Sequence, residues 1–353
     1  MKKKLLHFLN LAIKFLVLLG AVFVVYIFSD SIFKYIIHGK SFYLVSLGDK
    51  EYQKRKYAEA IEHYNTALRL YPKHVKARYN LANIYANYED YESAVREYRK
   101  TLEYDPTFLN AGINLGILLS EELRDYDAAI ETYTSVVNAR TRLINIPFIF
   151  DNRKQVVKAK SIAYYNMGLA YRDKAMLYSD DRMNYSIMLQ KSIDCYAKSL
   201  ALDPKNYDAQ YNLALAKHLL GLYTEALTGY CKAILISPFD YEAHYNLAVL
   251  LKEKNMYEDA YEEFKQAGML MDYIGDTDKS VYIYTMLSDV SRMAIAEYGY
   301  EPREVLEKLD DMIDFDEITD QEGFVSVHDL EEAMRKYIKT KSICRKFLIE
   351  YNE

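Results

Sequence analysis

Two pairs of prolines stand 34 residues apart in this chain, Pro72 with Pro106 and Pro204 with Pro238, and one pattern of apolar and small residues returns between them. The pattern is clearest from Tyr207 to Pro238. Tyr211, Leu215 and Leu219 recur at four-residue steps with Ala214 between them, which predicts a helix over Tyr207–Leu220. Gly221 breaks the pattern as a glycine at a helix C-terminus does. A second helix is predicted over Tyr223–Ile236, ended by Pro238, and Ala214, Ala226 and Ala233 let the two helices approach closely. A Tyr-x-x-Ala core marks the other copies: Tyr57/Ala60, Tyr91/Ala94, Tyr126/Ala129 and Tyr257/Ala260. A period of this length excludes one compact core. Each unit packs only on its neighbours, so the usual conversion of chain length into domain count does not apply.

The spacing and the residues at its fixed positions resemble the tetratricopeptide repeat, a helix–turn–helix unit of 34 residues. The resemblance covers about two-thirds of the 353 residues. It implies an all-α fold: a right-handed superhelical solenoid of such repeats, here with one N-terminal transmembrane helix. Six repeats are expected at about 41–74, 75–108, 109–145, 161–206, 207–240 and 241–274. The chain departs from the family at its tryptophan position, the fourth of the repeat, which holds Leu44, Arg78, Tyr164, Gln210 or His244. Three further irregularities stand out. The turn of repeat three carries one extra residue. Thr141–Val157 fits no repeat position, with a break at Asn145-Ile146-Pro147. About 12 residues are inserted within Arg172–Leu189 of repeat four, read as lengthened helices around a turn near Ser179–Asp181.

The N-terminus has a different chemistry. Residues 1–40 carry six lysines and one aspartate, +5 of a net charge of −6, which leaves −11 on the remainder. An acidic body argues against nucleic acid, which needs a basic track. Leu5–Phe28 is mostly apolar and, as a helix, reaches about 36 Å, enough to cross a bilayer if Lys14 snorkels to the headgroups. Lys2, Lys3, Lys4 and Lys14 then lie on the cytoplasmic side, and the repeats outside the cytoplasm, periplasmic in a bacterium with two membranes. A signal peptide cleaved after Ser31, or the opposite orientation, remain the alternatives. Ser31–Lys40 is read as a short juxtamembrane segment continuing toward the first repeat.

No enzyme signature is present: no HExxH, GxSxG, Walker loop or GxGxxG. No cofactor or metal is expected. Asp320–Asp329 resembles a calcium loop only faintly, because Ile318 stands where the first ligand belongs. Cys195, Cys231 and Cys344 show no metal spacing and are read as free, structural thiols. Residues 273–353 are read as a helical cap or degenerate repeat, with helices over Val281–Glu297 and Glu304–Ile313. Within it Glu297–Glu332 holds 14 acidic residues, and Arg335–Lys346 six basic ones, both read as solvated faces.

The recurrence with chemical content is asparagine at repeat position 6: Asn80, Asn114, Asn166, Asn212 and Asn246. Tyr79, Tyr165, Tyr211 and Tyr245 precede four of them. The resemblance places position 6 near the concave face, where an amide offers donors and an acceptor to an extended peptide backbone. The row is similar to the asparagine ladder with which some superhelices of this family hold peptides. The other reading is that these amides bond neighbouring helices. The basic concave residues of a chaperone-docking carboxylate clamp are absent: repeat one offers Val45 and Asp49, repeat three Asn110 and Asn114. The expectation is therefore a membrane-anchored, non-catalytic scaffold that binds proteins or peptide segments. The alternatives are a self-oligomerising structural component, a membrane-recruited cytoplasmic adaptor, or an enzyme with its site in residues 273–353.

Overall fold

The computed structural model describes residues 2–140, 145–146, 150–298, 332, 334–338 and 342–347. Helices dominate. The chain divides into two compact units, Met1–Leu123 and Arg124–Glu353.

In the first unit, α1 (Lys2–Gln53) is one unbroken helix of 52 residues. Its last three turns are the first helix of repeat one, paired with α2 (Tyr57–Leu70); α3 (Val75–Asn87) and α4 (Tyr91–Tyr104) form the next hairpin. Then α5 (Leu109–Ile117) runs into a π-helical segment, Leu118–Glu122. That segment takes up the extra residue counted in repeat three: one wide turn absorbs one insertion without breaking the helix.

In the second unit, α6 (Tyr126–Asn138) is followed by a minimal antiparallel pair, β1 (Asn145–Ile146) against β2 (Phe150–Asp151). The pair occupies the stretch that fits no repeat. Next, α7 (Arg153–Met176) begins eight residues before the expected start of repeat four, and α8 (Arg182–Leu202) is its partner. Both are long, and residues 177–181 turn between them. Regular hairpins follow: α9 (Tyr207–Leu219) with α10 (Tyr223–Ile236), and α11 (Tyr241–Glu253) with α12 (Tyr257–Ile274). With Asp272 where other repeats have proline, α12 runs on until Gly275, at φ +83°, caps it. Helix α13 (Thr277–Tyr298) packs on α12.

One feature recurs in the hairpins. The second helix supplies a ring that is almost wholly buried: Tyr64, Tyr98, Tyr133, Tyr196, Tyr230 and Phe264. In repeats one and four the first helix meets it with a glycine. A Cβ on Gly48 would stand 2.5 Å from the Tyr64 ring, and one on Gly168 2.6 Å from the Tyr196 ring. Only glycine leaves space there. In every repeat but the fourth the turn uses one left-handed residue: Arg55, Glu89, Arg124, Gly221 or Asn255.

Two expectations need correction. The three cysteines are not all free: Cys231 and Cys344 form a disulfide across 113 residues, and Cys195 alone is a buried free thiol. No local motif announces such a bond, because the partners meet only when residues 334–347 fold back onto repeat five. Nor is that segment solvated throughout: its described basic residues Arg335, Lys336 and Arg345 are exposed as expected, but its apolar ones are not. Met334, Tyr337, Ile338, Ile343 and Cys344 are buried in the same core as α10, α11 and α12. The predicted helix over 304–313 and the rejected calcium loop lie outside the described residues. Among the described residues no helix is long and apolar enough to cross a membrane.

Candidate protein-binding surface

The position-6 asparagines sit on the first helices, and most of their amide N–H groups are used inside the scaffold. In the first unit, Asn80 Nδ2 donates to Asp49 Oδ1 at 2.6 Å and to the Tyr64 hydroxyl at 3.3 Å. Asp49 is a hub: it also accepts from Tyr64 at 2.8 Å and from Lys76 at 2.6 Å. Asn114 Nδ2 donates to the Tyr79 hydroxyl at 3.2 Å and to Asn83 Oδ1 at 3.0 Å, an oxygen that Tyr98 also reaches at 2.6 Å.

In the second unit, Asn246 Nδ2 donates to the Tyr211 hydroxyl at 2.7 Å and to the Glu242 carbonyl at 3.0 Å. Asn212 Nδ2 donates to the Asp208 carbonyl at 2.8 Å, while its Oδ1 accepts from Arg172 at 2.6 Å. Asn166 is buried. Asn114 and Asn246 therefore do the same job: each ties its helix to the position-5 tyrosine of the preceding repeat. The amides act as braces between repeats. What they leave for a ligand is chiefly carbonyl oxygen, an acceptor for a peptide N–H.

The four tyrosines lie on the first helices beside these asparagines. All are half-buried, held by their own second helices: Tyr79 against Tyr98 and Phe108, Tyr165 against Tyr196, Tyr211 against Tyr230, Tyr245 against Phe264. Tyr211 also stacks on Tyr207 with the rings 11° from parallel. Burial, and after it the carboxylates of Glu242 and Asp240, hold the Tyr211 hydroxyl above its ordinary range. Burial and a hydrogen bond with Tyr282 push Tyr245 up to about 12. Both are neutral phenols near pH 7, rings fixed in place with one exposed edge. Such a surface offers aromatic contact at low entropic cost.

Sequence reasoning missed a second regularity. In repeats two, five and six the residue at the tryptophan position is paired with position 23 of the same repeat. Arg78 Nη1 reaches Glu97 at 2.5 Å, and its Nε donates to the Pro72 carbonyl at 2.9 Å. His244 repeats this bridge in the second unit. Its Nε2 donates to the Pro238 carbonyl at 3.1 Å, and its Nδ1 is hydrogen-bonded with Glu263 Oε2 at 2.6 Å. Gln210 donates to the Gly229 carbonyl at 3.0 Å. A polar bridge thus replaces the packing of the missing indole. The opposite charges at positions 4 and 23, Arg78 with Glu97, were the available signal. Over the third bridge lies the C-terminal segment: Ser342 Oγ donates to Glu263 Oε1 at 2.6 Å, and the Tyr337 ring stands 6.3 Å from that of His244.

At the two clamp positions of repeat one no basic side chain is presented. Val45 is buried, and both oxygens of Asp49 are engaged. Among the described residues no cluster of side chains fits a metal ion.

Tetratricopeptide-repeat family models match residues 45–107 and 195–228. Hsp70-Hsp90 organizing protein 1 of Glycine max is 33% identical over 86 residues, 24% of this chain and 15% of that protein. The human protein O-mannosyl-transferase TMTC3 is 24% identical over 163 residues, 44% of this chain and 18% of that protein. The chain thus spans less than a fifth of the length of either curated relative. Among solved structures, Pseudomonas aeruginosa PilF is similar in fold at 16% identity, with a TM-score of 0.52 over 71% of this chain and 98% of that one. The 34-residue period, the helical hairpins and these matches agree: the chain carries tetratricopeptide repeats.

Proposed function

We propose that this protein is a membrane-anchored, non-catalytic scaffold that binds extended segments of partner proteins along the first-helix face of its repeats, outside the cytoplasm. The observation that carries the binding part is the face of α7, α9 and α11 formed by Tyr165, Tyr211, Tyr245 and Asn246, which is ordered by the scaffold yet left half-exposed. Pre-organised aromatic surface is what a binding groove needs. Asn80, Asn114, Asn166, Asn212 and Asn246 contribute as braces and acceptors, and Tyr79, Tyr165, Tyr211 and Tyr245 as walls. The sequence matches to proteins that organise Hsp70 and Hsp90 fit a scaffold role. Without a carboxylate clamp, chaperone C-termini are not the proposed ligand.

Two observations support the anchor and its orientation. The apolar run Leu5–Phe28 lies within one continuous helix, and its described large side chains from Leu11 to Phe23 are 48–67% exposed on every side. A helix that is apolar all round belongs in an apolar solvent. The Cys231–Cys344 disulfide belongs to an oxidising compartment, and so do repeats placed on the far side from the N-terminal lysines.

The test is proximity labelling in native cells with a tag after Glu353, together with protease access to intact and opened cells. The expected result is labelled envelope proteins, with the repeats protected until the outer barrier is opened. Labelled cytosolic proteins, or repeats digested only after the inner membrane is breached, would overturn the orientation.

A further inference from the structure

Helix α1 carries an apolar face that repeat one does not use. Ser41, Val45 and Gly48 point into the first hairpin: Ser41 Oγ donates to the Ala67 carbonyl at 3.0 Å, Val45 is in the core, and Gly48 lies under the Tyr64 ring. Directly opposite stand Ile36 and Tyr43, exposed by 60% and 62%, with Phe33 and Tyr35 beside them at 64% and 81%, while Phe42 turns to His74 with ring centroids 4.4 Å apart. Four large exposed apolar side chains on three turns, in a segment that also carries His38 and Lys40, form more surface than a soluble helix leaves bare.

Their spacing is specific. In the sequence Ser29, Ile36 and Tyr43 are seven apart, and Ile32 and Gly39 each fall three residues after the first two of them. That is the a/d spacing of a left-handed coiled coil. Asp30, Lys34, His38 and Lys40 all stand off this seam, while Phe33, Tyr35 and Phe42 flank it. The same register continues back through Val22 and Leu18 into the apolar run. It stops at Ser46 and Lys50, where α1 becomes wholly part of repeat one. At the centre of the seam Gly39 is exposed, and a Cβ built there would meet nothing within 4 Å. A small residue at that point lets a second helix approach closely.

We propose that two copies of this chain pair in parallel along this seam, through residues 29–43 and on into the apolar run. The occupant has to be a long helix of the same pattern. The seam is straight, because α1 is unbroken from Lys2 to Gln53, and residues 29–43 alone extend about 21 Å. A two-fold pair places Ile36 against Ile36 and Gly39 against Gly39, so one stripe serves both copies. Lipid would cover Leu5–Phe28, but it does not account for charges being kept off a seam that extends up to Tyr43. Pairing also sets two repeat faces side by side, which raises avidity for any partner that presents two segments.

The test uses the full chain in lipid nanodiscs, with Ile36→Cys, Tyr43→Cys and His38→Cys compared under a short bismaleimide. His38 is on the repeat side, its ring 4.1 Å from that of Tyr71. The native thiols do not interfere, since Cys195 is buried and the other two are bonded. The expected result is at least a tenfold higher yield of cross-linked dimer at positions 36 and 43 than at 38. The double variant Ile36→Asp with Tyr43→Asp is expected to run as a monomer while keeping native helicity and the Cys231–Cys344 bond. Equal yields at all three positions, a wild-type chain of monomer mass, or quenching of both seam positions by brominated lipid without cross-linking would overturn the proposal. None of these outcomes bears on partner binding by the repeats, which proximity labelling reads separately.

Discussion

The two compact units follow one packing rule and stabilise it differently. In Met1–Leu123 the first two hairpins keep regular spacing and are joined by polar hubs: Asp49 gathers Tyr64, Lys76 and Asn80, and Arg78 bridges Glu97 to the Pro72 carbonyl. In Arg124–Glu353 the spacing is disturbed by a hairpin strand pair and two long helices, and a returning segment is fastened over repeats five and six by a disulfide. The His244 bridge beneath that segment copies the Arg78 bridge of the first unit. The comparison teaches that the repeat tolerates insertions wherever the buried ring and its small partner are kept. Extra fastening is added from outside the repeat.

The largest expected effect comes from removing that fastening. Replacing Cys231 and Cys344 with serine releases a closed loop of about a hundred residues, worth about 4–5 kcal/mol in the chain-entropy account. Hydrogen exchange should accelerate in α10–α12 by orders of magnitude while α2–α4 keep their rates. Equal acceleration in both units would erase the proposed contrast.

Next is the ring contact that the units share. Gly48→Leu and Gly168→Leu each drive a side chain into a tyrosine ring already at closest approach, costing about 2–3 kcal/mol. Denaturant titration should give similar losses for both. A loss confined to one variant would mean that the packing rule is not common to both units.

The braces are weaker. Asn114→Ala in the first unit and Asn246→Ala in the second each remove a bond to a tyrosine of the preceding repeat, worth about 1 kcal/mol. Midpoint shifts in chemical unfolding would report this. No shift for either would return these asparagines to a purely ligand-facing role. Smallest is Glu89→Gly. Glu89 holds a left-handed turn at φ 61° that Gly221 holds in another repeat. Glycine there relieves about 0.5–1 kcal/mol of strain, partly offset by its unfolded-state entropy, so thermal unfolding should shift slightly upward.

The hairpins were legible in the sequence because their signals are local. Tyr-x-x-Ala, Gly221 and the prolines fix helix ends, and counting from Leu109 to Tyr126 exposed the one extra residue that the π-helical segment absorbs. The contacts of the C-terminal segment were not legible. Ser342 and Glu263 are 79 residues apart and Cys231 and Cys344 are 113 apart, and nothing near either pair marks the other. The asparagines were found, but which way their donors turn depends on a tyrosine 35 residues earlier, as with Asn246 and Tyr211. Position 4 was noticed for lacking tryptophan. Its polar partner nineteen residues later was overlooked because a single-position comparison does not look for pairs.

The central claim is that partners are held by the first-helix face. The most direct measurement puts a photoreactive phenylalanine analogue at Tyr165 or Tyr245 in the full chain, with the exposed Glu225 on the second-helix side as control, and cross-links in native membranes. The account predicts discrete adducts with the same partner from positions 165 and 245 and none from 225. Adducts from 225 alone, or none from the tyrosine positions, would contradict it.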